Sequence, residues 1–64
     1  MIIEEYVKDL KVVAATGDVK KVIAILDKWK AYGLLDPDMV AWYKALPDAE
    51  QLRALGSLRR RLGV

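Results

Sequence analysis

The sequence predicts an all-α fold, and three observations carry that prediction. Apolar residues recur at helical spacing through nearly the whole chain. Gly and Pro stand between those stretches, at Gly17, Gly33, Pro37 and Pro47. Hydrophobic residues make up 55% of the 64, too many for a disordered chain. The length allows a single helical domain, residues 1–64. The expected architecture is a compact four-helix domain built from two helical hairpins, at about 2–15, 19–32, 37–46 and 49–62. Helix 1 should pack on helix 2, and helix 3 on helix 4.

In the first helix, Ile2, Ile3, Tyr6, Val7, Leu10, Val13 and Ala14 fall on one arc of roughly 140°, taking about 100° per residue. Glu4, Lys8 and Lys11 lie opposite, and Glu4–Lys8 is the favourable i,i+4 order. Gly17 is expected at positive φ after the helix, and Asp18 as the N-cap of the next. The second helix carries Val19, Val22, Ile23, Leu26 and Trp29 as its stripe, widened by Ile25 and Tyr32. Gly33 should end it, with Leu34 and Leu35 folding back onto the core. Asp36-Pro37 is a strong start for the third helix, an N-cap Asp followed by Pro at the first helical position. From Met39 to Leu46 that helix has one charge, Lys44, among apolar residues. A helix apolar nearly all round is central in its fold or covered by a partner. After Pro47, Asp48 and Gln51 read as a capping-box-like start for the fourth helix, which should bury Leu52, Leu55, Leu58 and Leu62. Gly56 marks a close crossing or a break within it. Trp29, Trp42, Tyr6 and Tyr43 are expected to supply much of the buried area.

Composition excludes several functions. The chain has no Cys and no His, so disulfides, thiolate zinc sites and histidine-activated nucleophiles are absent. No glycine-rich phosphate loop occurs, and Asp36 and Asp38 are explained by the helix they begin. The expectation is therefore no enzyme, no metal, no cofactor and no small-molecule substrate. No apolar run is long enough to span a membrane or to form a signal peptide, so a soluble, cytoplasmic protein is expected. The uncharged polar side chains are Thr16, Gln51 and Ser57, with no Asn, a thermophile-like composition.

Tyr6, Leu10, Val13, then Ala15-Thr16-Gly17-Asp18-Val19, Ile23, Leu26, Trp29 and Gly33 resemble one helical hairpin of the tetratricopeptide and pentatricopeptide repeat class. Lys30-Ala31-Tyr32-Gly33 resembles the end of a pentatricopeptide unit, and Pro37-Asp38 with Trp42 the start of a second. The resemblance covers residues 6–43. It implies helical hairpins that bind peptides or single-stranded RNA on stacked faces. Pro37 falls one residue later than that pattern expects. The chain offers about one and a half units where arrays close on about three, so no binding residues carry over.

Two functional readings follow from the residues themselves. The first is association with a protein partner, a homodimer or a subunit of a larger assembly. It rests on surplus apolar surface, with Ile25, Tyr32, Val40 and Trp42 as the candidate interface. The second is nucleic-acid binding. All four arginines, Arg53, Arg59, Arg60 and Arg61, lie near the C-terminus, giving residues 51–64 a charge of +4 against −2 for residues 1–50. Gln51 with these arginines forms the candidate nucleic-acid contact set.

Overall fold

The computed structural model describes residues 2–64. The all-α fold is observed, with five helices among the described residues in the order α1 (Ile2–Ala15), α2 (Val19–Ala31), α3 (Pro37–Ala45), α4 (Asp48–Arg53) and α5 (Leu55–Leu62). Local chemistry sets the first three. Asp18 caps α2 by accepting from the Lys21 amide at 3.3 Å, and Asp36 caps α3 by accepting from the Asp38 amide at 2.9 Å. Pro37 opens α3 with its φ already helical. Gly33 stops α2 in the left-handed conformation, φ 77°. There the Gly33 amide donates to the Lys30 carbonyl and the Leu34 amide to the Trp29 carbonyl, the reversed pair of bonds that closes many helix ends. Gly17 does not take positive φ. The Thr16 hydroxyl shapes that turn instead, accepting from the Asp18 amide at 3.1 Å.

The C-terminal third departs from expectation. The fourth helix is not continuous over 49–62 but breaks at Ala54, which ends α4 and precedes α5. Gly56 lies inside α5, and open space surrounds the place its Cβ would occupy, so it is neither the break nor a close crossing. The turn lets α5 return across α1, so that the chain closes on itself as α1 on α2, α2 on α3, and α5 on α1. Leu55 and Leu58 enter the core and Leu62 packs at its edge, whereas Leu52 faces solvent.

Val13, Val22, Leu26, Trp29, Val40, Tyr43 and Leu58 are the fully enclosed side chains at the centre. Tyr6 and Trp42 are only half-buried beside them. Trp29 is the hub. Tyr6 meets it edge-on with ring centroids 5.2 Å apart, and its indole N–H donates to Asp9 at 2.7 Å. That carboxylate also accepts from the Lys28 ammonium at 3.4 Å, which ties α1 to α2 at a second point. Lys44 and Asp27 join α3 to α2 at 3.0 Å. Leu35 folds back onto the core as expected, but Leu34 stays exposed.

Candidate functional site

Two of the residues predicted for nucleic-acid contact, Gln51 and Arg59, are engaged inside the fold. Gln51 is buried, and its amide donates to the Tyr43 and Lys44 carbonyls at 3.3 Å each. It closes the C-terminal end of α3, so it cannot reach a base edge. The expected capping-box start is not formed: Gln51 serves the end of the preceding helix, and α4 begins after Pro47 with no side-chain cap. Arg59 is also committed within the fold. Its Nε donates to the Val13 carbonyl at 2.9 Å and its Nη2 to the Thr16 carbonyl at 2.7 Å. α1 has no basic residue in its last turn, and this guanidinium supplies the cation and the donors that its carbonyl end requires.

The remaining arginines have separate surroundings. Arg60 donates to Ser57 one turn back on α5 at 3.3 Å. Arg61 lies over the Trp42 ring, 4.3 Å from its centroid, a cation–π contact joining α5 to α3. Arg53 borders an open cleft of about 310 Å³ that Trp42, Leu46, Glu50 and Ala54 complete. Glu50 sets a negative charge on the same cleft as Arg53. A second cleft, of about 330 Å³, lies between the starts of α2 and α4, bordered by Val19, Ile23 and Gln51 with Lys20 and Asp48. Among the described residues no three metal-ligating side chains converge.

The predicted apolar interface is redrawn as well. Ile25 and Val40 are core residues, Val40 wholly enclosed, so neither can serve as an exposed contact. The third helix covers itself: Met39, Val40 and Tyr43 point inward, Trp42 is half-covered, and much of the outer side is the small residues Ala41 and Ala45. Counting alanine as surplus apolar surface overstated what needed hiding. Of the four residues, Tyr32 is the one exposed, at 58%, its ring tilted against Trp29 at 5.2 Å.

Besides Tyr32, Leu34, Leu52 and Val64, exposed apolar side chains stand on α1. Ile3 is 67% exposed and Val7 45%, while Leu10 is half-buried and stands outside the residues packed on the core. The core takes the other half of the apolar arc. Tyr6 and Val13 pack inward, and Asp9 lies between them to receive the Trp29 indole. At about 100° per residue, Ile3, Val7, Leu10 and Ala14 form a separate stripe about 60° wide beside that buried seam. The sequence held a signal for this. An arc of roughly 140° is broader than one neighbouring helix covers, and the 3-7-10-14 spacing is a seam of its own.

No protein-family model matches the chain, and neither a curated protein nor a solved structure shows significant similarity to it. Among the described residues no helix is long and apolar enough to cross a membrane.

Proposed function

We propose that this chain is a non-enzymatic helical association module whose contact surface is the outer stripe of α1, Ile3, Val7 and Leu10. One observation carries the reading: Ile3 and Val7 stand exposed, in line with half-buried Leu10, at helical spacing on a helix whose other face already completes the core. Leaving such side chains in water forgoes on the order of 1.5–3 kcal/mol each relative to burial. A surface built this way is a contact surface in proteins that assemble.

A photoreactive residue in place of Val7 tests it, with the same residue in place of Glu50 as the control on a different helix. Cross-links to a second protein chain are expected from position 7 and not from position 50. Equal yields from both, or none from position 7, would refute the reading. Nucleic-acid binding has narrower support, because Gln51 and Arg59 are spent inside the fold and Arg61 is held over the Trp42 ring.

A further inference from the structure

The stripe on α1 has a definite spacing. Ile3, Val7, Leu10 and Ala14 are separated by four, three and four residues, the alternation with which one helix presents a seam to another. Its two flanks differ. On one side lie Tyr6 and Val13, which belong to the interior. On the other lie Glu4 and Lys11, both exposed and neither in an ion pair among the described residues. The charge along this outer flank is therefore polar: negative at the helix start, positive toward its end. Such a helix is complementary to itself when turned end for end.

From that pattern we infer that the partner of this face is a second copy of the same chain, with the two α1 helices paired antiparallel about a two-fold axis. The inference rests on α1 being the association face and names its occupant. In this arrangement Ile3 lies against Ala14 of the second copy, and Val7 against Leu10, so that each bulky pair sits near the axis. Flanking positions on the same side of the seam then face each other, which sets Glu4 of each copy beside Lys11 of the other. The two helix dipoles also oppose favourably. A parallel pairing would instead set the Glu4 and Lys11 flank of each copy against the Tyr6 and Val13 side of the other, so these opposite charges would not meet. The seam is short, about three helical turns, and so falls below the roughly 1,200 Å² total of a standard stable interface. The dimer should accordingly be weak, with dissociation on the order of micromolar or above.

Sedimentation equilibrium over about 1–500 µM protein, a range set by that weakness, tests the pairing. The native chain should pass from monomer to dimer. Val7→Lys should raise the dissociation constant at least about tenfold, since it sets a charge into the seam from both copies. Ile3→Lys is the second such variant, and circular dichroism verifies that each keeps its helices. Glu4→Lys and Lys11→Glu should each weaken the homodimer by several-fold. An equimolar mixture of the two should recover association as a heterodimer, because the antiparallel register then joins only opposite charges. A chain that stays monomeric throughout, a dimer indifferent to both seam variants, or a mixture no tighter than its components would overturn the antiparallel pairing. If a monomeric chain still cross-links from position 7 to a different protein, self-pairing fails while the association face stands.

Discussion

Tyr43 and Gln51 exchange hydrogen bonds at the centre of the C-terminal half. The Tyr43 hydroxyl donates to the Gln51 carbonyl at 2.6 Å, while the Gln51 amide donates back to the Tyr43 carbonyl. Both residues are buried, so neither bond has water as an easy replacement. Burial pushes the Tyr43 phenol above its ordinary pKa of 10, and the nearby Arg59 guanidinium draws it partly back. The neutral phenol is thus the form the fold prefers, and it is also the form that can donate. With the folded pKa raised, the unfolded chain releases this proton first. Stability from Tyr43 is full below about pH 10 and falls as the pH climbs through the folded pKa. Tyr43→Phe should cost about 1–2 kcal/mol at neutral pH, since it leaves the Gln51 carbonyl without its donor. Urea unfolding between about pH 8 and 11.5 should show a shallower alkaline decline in the variant. An equal decline in both proteins would mean that the phenol ionises alike in the folded and unfolded chain.

Helix ends set by neighbouring residues were legible in the sequence; those set by distant contacts were not. Asp18 and Asp36 cap the helices they precede, and Gly33 ends α2, because each acts within four residues of its own position. The break at Ala54 has no Gly or Pro to announce it. It accompanies the return of α5 across α1, where Arg59 reaches the Val13 and Thr16 carbonyls more than forty residues away in sequence. The same distance explains the errors at the candidate sites. Gln51 and Arg59 read as available polar side chains until their carbonyl partners are seen, and Ile25 and Val40 read as surplus until α2 meets α3. Gly56 follows from this corrected element. It sits in the first turn of α5 with ordinary helical backbone and nothing near its missing Cβ, so no packing reason opposes a side chain there. Gly56→Ala should stabilise the protein by about 0.5–1 kcal/mol, through lower unfolded-state entropy and better helix propensity. Thermal unfolding measures this directly. A destabilised variant would place Gly56 at a tight crossing after all.

At the scale of the molecule, 64 residues leave little margin, on the order of 3–10 kcal/mol in total. The closure of α5 onto α1 therefore decides whether the N-terminal hairpin and the C-terminal helices unfold together. Leu58 and Leu52 separate this closure from the continuous helix that the sequence invites. In an unbroken helix over 49–62, the two leucines would stand about 120° apart at the edges of one inner stripe completed by Leu55 and Leu62, and each would lose burial on truncation. In the observed fold Leu58 is wholly enclosed and packs in the central cluster, whereas Leu52 is 55% exposed on the far side of the break. Leu58→Ala should cost about 2–4 kcal/mol, a large share of the whole, from lost burial and the cavity left behind. For a domain of this size that is a fall in Tm of roughly 10–25 °C. Leu52→Ala should stay within about 0.5 kcal/mol, as surface substitutions do. Calorimetry on the two variants should show a single transition for each, because an interior shared by α1, α2, α3 and α5 gives no part of the chain a core of its own. Equal losses at the two leucines would restore the unbroken helix. Two separate transitions in the Leu58 variant would mean that α5 closes over a hairpin able to fold without it.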